Sequence, residues 1–210
     1  MMQQPDSVPD PATALWPAYI CSTLGQPPHR LLLEALARTA AEAPHSDRRR
    51  AVDLGCGAGN DTVELLRQGW SVLAIDKTPE AIKCLLQRAD LAGRDRLETV
   101  TADLAEAAWP PVDLANARAS LPFLAPPAFA AVWRNVVDSL APGGRFVGHF
   151  FGDRDDWASI PGRTHHTRAQ VAVLLERFDV ELLEEVERDG TAFPGVPKHW
   201  HRFEVLARKR

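Results

Sequence analysis

The sequence predicts an α/β protein with a doubly wound, mostly parallel sheet of seven strands, helices on both faces and an antiparallel last strand. Short apolar segments alternate with segments of helical periodicity along most of the chain. The last two apolar segments have no helical segment between them, so they are expected to pair antiparallel at one edge region of the sheet. Acidic residues and glycines follow several of the apolar segments, and such sheets bind ligands beyond the carboxyl ends of their strands.

Each predicted element rests on a periodicity or a composition signal. Leu31, Leu32, Ala35 and Leu36 recur at helical spacing and predict a helix over 28–42. The strands are apolar runs, predicted at 51–54, 70–75, 97–101, 112–115, 145–151, 178–187 and 199–207. The other helices are amphipathic segments between these strands, predicted at 61–67, 78–91, 127–140 and 167–176.

Several residues suit the ends of these helices. Gly69 is a typical stop for the helix at 61–67. Thr78 is a candidate N-cap, with Pro79 at the first helical position, where its missing N–H costs nothing. Thr167 is the candidate cap of the last helix.

Composition and charge restrict the class of protein. The 210 residues suffice for one domain with a single core. The formal net charge is −4 and the sequence has no basic stripe, so neither a nucleic acid nor a membrane is expected as a partner. The three cysteines are widely spaced, which argues for a reducing compartment. We expect a cytoplasmic monomer or homodimer. Residues 1–14 are predicted to be a disordered tail, and 15–210 one domain whose segment 15–45 is an N-terminal lid and helix.

The segment AVDLGCGAGND, at 51–61, predicts a loop that holds a nucleotide-like cofactor. Its glycines have the spacing G-x-G-x-G, whereas a dinucleotide site reads G-x-G-x-x-G, and Asn60 stands at the third glycine of that motif. Asp61 would lie in the first turn of the next helix, where a carboxylate repels a pyrophosphate. A P-loop is excluded because no Gly-Lys-Ser/Thr follows.

Two further acids indicate which groups the cofactor carries. Asp76 ends the second strand, where a carboxylate accepts hydrogen bonds from both hydroxyls of a ribose. Asp103 follows the third strand and can accept one from the amine of an adenine. A ligand with a ribose, an adenine and an amino acid but no phosphate is S-adenosylmethionine. An NAD(P)-dependent oxidoreductase and an S-adenosylmethionine-binding protein without turnover stay open as alternatives.

The segment VDLGCGAGND, with Asp76, TADL and LAPGGRF, resembles the class I S-adenosylmethionine-dependent methyltransferases, and more narrowly their tellurite-resistance and thiopurine-type small-molecule branch. The resemblance implies a Rossmann-like methyltransferase fold and transfer of a methyl group to a small-molecule acceptor by in-line displacement. The segment NARASL departs from the D/N-P-P-Y/F motif of enzymes that methylate amino groups of nucleic acids. The implied cofactor site consists of Asp53, Gly55, Cys56, Gly57, Gly59, Asp76, Lys77, Asp103, Leu104 and Asn116.

Three residues are candidates for catalysis, although methyltransferases have no universal catalytic residue. His149 ends the fifth strand and is either a general base or a core histidine. Arg154 is either a solvated loop residue or the group that meets an anionic substrate. His201, in KHWH, lies either at the rim of the pocket or in an ordinary turn. Tyr19 and Trp16 precede the first predicted helix and are candidates for a lid over the cofactor.

The acceptor pocket is expected between the N-terminal segment, the end of the fifth strand and the final turn. Several side chains there can carry positive charge, which favours a small anionic acceptor. The residues expected to supply this pocket are Tyr19, His29, Arg30, His149, Phe151, Arg154, Lys198 and His201.

No metal site is predicted. His165 and His166 are adjacent in an extended segment, so their side chains point apart. His199 and His201 share a face, but no set of Asp, Glu or Cys stands at ligand spacing with them.

Overall fold

The computed structural model describes residues 16–42, 49–193 and 195–210, with side chains from Ala18 onward, so the predicted tail at 1–14 lies outside it. Its helices are α1 (Trp16–Ser22), α2 (Arg30–Glu42), α3 (Asn60–Arg67), α4 (Pro79–Leu86), α5 (Pro126–Ser139) and α6 (Arg168–Leu174). Its strands are β1 (Arg50–Leu54), β2 (Ser71–Asp76), β3 (Leu97–Thr101), β4 (Val112–Ala117), β5 (Leu140–Gly152), β6 (His165–His166), β7 (Phe178–Phe193) and β8 (Val196–Lys209). Short 3-10 turns occur at Arg94–Arg96, Leu121–Phe123 and Asp156–Ser159. In these ranges no helix has the length and apolar character needed to cross a bilayer.

Seven strands lie side by side in the order β3-β2-β1-β4-β5-β8-β7, and the short β6 pairs with β5. The pairs among β1 to β5 are parallel, whereas β8 runs antiparallel to both β5 and β7. The fold class is therefore confirmed, including the antiparallel last strand and its pairing with the strand before it. The carboxyl ends of β1 and β4 lie together, because Asp53 pairs with Asn116 in the register of the two strands.

Alternation of side chains along the strands produces an apolar core on each face of the sheet. On one face, Val52 of β1 belongs to a buried cluster with Val136 of α5 and Val171 of α6. On the other face, Ala51 belongs to a cluster with Leu65 of α3, which also contains buried residues of α2 and α4. The expectation of helices on both faces is confirmed.

Some boundaries differ from the sequence-based expectation. Helix α4 ends at Leu86 rather than at 91, and the side chain of Arg88 turns inward to donate to the Ala58 carbonyl and to Asn60 Oδ1. Strand β5 begins at Leu140 rather than at 145, directly after α5. Strands β7 and β8 extend well beyond 178–187 and 199–207 into a long hairpin, in which Gly190 pairs with Lys198.

Both predicted N-cap residues hold their positions, but only one of them makes the capping bond. Thr167 Oγ1 accepts from Gln170 N, and the Gln170 side chain accepts from Thr167 N in return, which forms a capping box. Thr78 holds the N-cap position of α4, but its side chain makes no capping bond. Its N–H donates instead to Asp76 Oδ1, so the acid at the end of β2 orients this helix start.

Helix α1 packs against the loop after β1 and against α4. Ile20 forms a small buried cluster with Ala58 and Ala81. Cys21 Sγ and Cys84 Sγ lie 2.7 Å apart, which brings together two thiols that are distant in sequence. The N-terminal helix therefore lies beside the cofactor loop, where the lid was expected.

Candidate active site

A cavity of about 600 Å³ opens at the carboxyl ends of the parallel strands. It is lined by the loops after β1, β2, β3 and β4, the end of β5, helix α1 and the β7–β8 hairpin. Most of the predicted cofactor residues line it: Asp53, Gly55, Cys56, Gly57, Asp76, Lys77, Asp103 and Leu104. The topology therefore gathers in one place residues that are dispersed over about a quarter of the sequence, from Asp53 to Leu104.

Gly59 and Asn116 were expected to contact the cofactor, but neither lines the cavity. Gly59 caps α3 with a φ of 78°, and a Cβ there would lie 2.3 Å from Leu85 Cδ1. Its role is close packing of α3 against α4. Asn116 is buried below the cavity, with 1% of its surface exposed.

The carboxylate of Asp76 organises the cavity wall at the ends of β1 and β2. Asp76 Oδ2 accepts from Gly57 N at 2.9 Å, and Oδ1 accepts from Thr78 N at 2.8 Å. A carboxylate has about four lone-pair sites, so these two bonds leave capacity for ligand hydroxyls. Leu104 is buried beside it, whereas Asp103 is exposed and accepts from Ala105 N.

Two buried carboxylates lie below the glycine loop and share one amide donor. Asn116 Nδ2 donates to Asp53 Oδ1 at 2.9 Å and to Asp61 Oδ2 at 3.1 Å. Thr62 Oγ1 donates to the other oxygen of Asp53, and His29 N to the other oxygen of Asp61. Burial, and then the charge of Asp61, raise the pKa of Asp53 to about 7. In the described part of the chain neither carboxylate has an ion-pair partner, so the pair suits a cationic ligand group.

His149 also lines the cavity, next to His29. The two rings are 4.8 Å apart between centroids and nearly perpendicular. His149 is 8% exposed, and its Nε2 has no hydrogen-bond partner among the described residues. Burial, assisted by His29 and nearby arginines, holds the pKa of His149 well below its usual value, so the imidazole is neutral. Its Nε2 is therefore open to a hydrogen bond with a ligand.

Glu204 completes a group with the two histidines in which one ligand atom from each lies within 4.8 Å of the others. Its two oxygens are already engaged, since Oε1 accepts from Arg202 and Oε2 from Arg30. These ion pairs orient the carboxylate toward guanidinium groups, which a cation at this place would have to displace.

Arg154 and His201 were expected to be catalytic candidates, and the structure places both outside the cavity lining. The guanidinium of Arg154 binds Glu187 and Glu185 on the outer side of the hairpin. His201 is fully buried, and its Nδ1 accepts from Arg154 N at 3.1 Å. These two residues brace the loop after β5, so the structure gives no support to a catalytic role.

The acceptor-side expectation is partly corrected as well. Tyr19, His29, His149 and Phe151 line the cavity. Arg30 does not, because it pairs with Glu184 and Glu204. Lys198 is buried, and its ammonium group donates to Asp155, an acid of the loop after β5 that neutralises its charge. The side chain of Trp16 lies outside those described.

Sequence reasoning missed an arginine and several aromatic residues of this site. Arg118 follows β4 and lines the cavity, as do Phe123, Trp157 and Trp200. Arg118 could have been predicted from the segment NARASL, because Arg118 is a basic residue directly after a strand whose end lies at the cavity. Phe123 and Trp157 lie in two 3-10 turns and Trp200 lies in β8, and only the tertiary structure brings them together.

Comparison with known proteins agrees with this geometry. Residues 51–144 match the family model described as a methyltransferase domain. A probable cobalt-precorrin-6B C(15)-methyltransferase of Methanothermobacter thermautotrophicus is 37% identical over 102 residues, which are 46% of this chain and 50% of that protein. The chain thus spans about half the length of this curated relative.

Two solved structures share the fold at low sequence identity. TehB from Haemophilus influenzae superposes with a TM-score of 0.66 at 18% identity, over 83% of this chain and 62% of TehB. The 1,6-didemethyltoxoflavin-N1-methyltransferase of Burkholderia thailandensis gives a TM-score of 0.58 at 22% identity, over 99% of this chain and 93% of that enzyme. The predicted resemblance is confirmed at the level of the fold: residues 51–144 match a methyltransferase domain, and the sheet that contains them is shared with Rossmann-like methyltransferases of known structure.

Proposed function

We propose that this protein is an S-adenosylmethionine-dependent methyltransferase that acts on a small-molecule acceptor. The observation that carries the proposal is one cavity that gathers two sets of residues. The glycine loop, Asp76 and Leu104 line it together with the imidazoles of His29 and His149. The Burkholderia relative binds S-adenosylhomocysteine and a small molecule together, which supports the same use of this cavity.

The residues present fit the chemical groups of S-adenosylmethionine. Asp76 would accept from the ribose hydroxyls, and Leu104 and Asp103 would contact the adenine. The buried pair of Asp53 and Asp61 lacks a cation within the described ranges, and the ammonium of a methionine moiety would supply one. The bound cofactor supplies an electrophilic methyl group on a sulfonium, and the protein's contribution is to bind, orient and exclude water.

The NAD(P)-dependent alternative fits the structure less well. Asp61 is buried in the first turn of α3, where its carboxylate would face a pyrophosphate bound at that helix end. Asn60 occupies the place of the third glycine, and its amide is engaged with Thr23 O and Gly25 N. These contacts hold the segment before α2 where a dinucleotide loop would need space.

The remaining properties stay predictions. The acidic net charge of −4 supports a small acceptor rather than a polynucleotide, and no membrane partner is expected. We further propose a cytoplasmic monomer or homodimer.

Ligand-induced stabilisation distinguishes the two cofactors. S-adenosylhomocysteine at 100 times its Kd is expected to stabilise the protein by about 2.7 kcal/mol, because a ligand that binds only the folded state shifts the unfolding equilibrium by mass action. NAD⁺ at the same concentration is expected to give no shift. Thermal unfolding with each ligand is the measurement, and stabilisation by NAD⁺ alone would refute the proposal.

Replacement of Asp76 by Asn tests the ribose contact. Two charge-assisted hydrogen bonds are weakened, so the affinity for S-adenosylhomocysteine is expected to fall about 10- to 100-fold in titration calorimetry. Asp95→Asn removes the same charge from an exposed turn and is the matched control. Because Asp76 also accepts from Gly57 N and Thr78 N, the unfolding temperature of each variant is measured in parallel. An unchanged affinity in a folded Asp76→Asn variant would show that the ribose lies elsewhere.

A further inference from the structure

The acceptor side of the cavity is built largely from aromatic rings. Phe123, Phe151 and Trp157 contact one another, with ring centroids 5.5 to 5.9 Å apart in edge-on geometry. Trp200 lies 5.4 Å from Trp157, and all four rings line the cavity. Such walls favour a flat, polarisable ligand, because offset and edge-to-face ring contacts add to the burial of apolar area.

Arg118 supplies a positive charge to the same cavity. It lines the cavity half-buried, and its charge acts on both His29 and His149. Arg30 and Arg202 are also near these histidines, but Glu204 accepts from both of them. Within the ranges that the structure describes, Arg118 has no carboxylate partner. The cavity thus contains a half-buried cation and the unpartnered Nε2 of His149, two groups that suit an anion.

We propose that the methyl acceptor is a planar aromatic molecule whose nucleophile is an anionic ring substituent, such as a phenolate. The ring packs against Phe123, Phe151 and Trp157, and the anionic atom is bound by Arg118 and His149. This inference rests on the proposed function and specifies the substrate class of the same site.

The chemistry balances without a proton acceptor. A lone pair of the anionic atom forms the bond to the methyl carbon as the methyl–sulfur bond breaks, and the electron pair of that bond stays on sulfur. The anion and the sulfonium thus become a neutral ether and a neutral thioether. His149 and Arg118 hold the nucleophile by hydrogen bonding, so a neutral imidazole is sufficient.

Binding of matched probes to the protein saturated with S-adenosylhomocysteine tests the proposal by calorimetry at pH 8. The probes are 4-nitrophenol, which is largely ionised at this pH, 4-nitroanisole, which has the same ring without charge, and acetate, which has charge without a ring. We expect 4-nitrophenolate to bind at least about 10-fold more tightly than 4-nitroanisole, the range of one charge-assisted hydrogen bond. Acetate is expected to show no binding at the same concentrations.

Variants separate the two parts of the site. Arg118→Gln is expected to lower the affinity for 4-nitrophenolate about 10- to 100-fold, and Arg118→Lys is expected to restore part of this affinity. Phe123→Leu is expected to lower the affinity for both aromatic probes about 2- to 10-fold. Arg154→Gln removes a positive charge outside the cavity and should leave the affinity for both probes unchanged. For Arg118→Gln, the affinity for S-adenosylhomocysteine should stay within about 3-fold of the parent value.

Three results would overturn the inference. Equal or absent binding of 4-nitrophenolate and 4-nitroanisole would contradict the proposal that the acceptor atom is anionic. Binding of acetate as tight as that of 4-nitrophenolate would contradict the proposal that the acceptor is aromatic. A loss of S-adenosylhomocysteine affinity in Arg118→Gln, with 4-nitrophenolate unchanged, would assign Arg118 to the carboxylate of the cofactor. Failure of S-adenosylhomocysteine to bind the parent protein is a separate result, which would contradict the proposed function itself.

Discussion

At pH 8 the Asp53→Asn variant is expected to be more stable than the parent protein and to bind S-adenosylhomocysteine more weakly. The pKa of Asp53 is raised to about 7 in the folded protein, first by burial and then by the charge of Asp61. A raised carboxyl pKa contributes stability that is complete below the unfolded value near 4 and is lost as the pH rises through the folded value. Asparagine is neutral at every pH and can keep the bonds to Asn116 and Thr62.

The expected gain in the free energy of unfolding is on the order of 1–4 kcal/mol at pH 8, since one pKa unit corresponds to about 1.4 kcal/mol. The gain should grow from about pH 4 to about pH 7 and then level off. Urea unfolding at a series of pH values measures it, with Asp95→Asn as the exposed control. A gain that does not depend on pH, or a variant less stable at pH 8, would show that Asp53 is ionised at little cost.

Replacement of Gly55 by Ala is expected to destabilise the protein by about 2–5 kcal/mol. Gly55 has a φ of 74°, and a Cβ at this position would lie 2.5 Å from Ser120 Cβ. The left-handed conformation costs an alanine about 1–2 kcal/mol, and overpacking adds about 1–3 kcal/mol. Ser120 cannot easily withdraw, because its hydroxyl donates to the Leu54 carbonyl beneath the same loop.

Gly57→Ala is the matched control for this steric contribution. Gly57 also has a positive φ, of 54°, but a Cβ there would meet no atom within 4 Å. Its cost in urea unfolding is therefore expected to be the conformational one alone, about 1–2 kcal/mol. If the two variants lost equal stability, the contact between the loop after β1 and the loop after β4 would not restrict residue 55.

The parts of this protein that could be predicted are those with local signals. Apolar runs located each strand from β1 to β5, helical periodicity located the helices that cover them, and Thr167 marked the start of α6. The extent of the β7–β8 hairpin could not be predicted, because Gly190 and Pro197 are typical of loops. The cross-strand partners that keep these residues in an extended conformation are distant in sequence.

The sequence by itself determined the fold class and the residues of the glycine loop and β2 that line the cavity. Gly55, Gly57 and Asp76 are recognisable because their spacing follows from one strand–loop–helix unit, in which neighbours in sequence are neighbours in space. Only the tertiary structure showed that Arg118, which follows β4, and His149, near the end of β5, line the same cavity. The tertiary structure also showed that Arg154 and His201 bind acidic residues of β7 instead of lining the cavity. These partners are distant in sequence, so no local pattern predicts the contacts. Charge pairing across a fold depends on which residues lie opposite each other, and that is a property of the packed chain rather than of any segment.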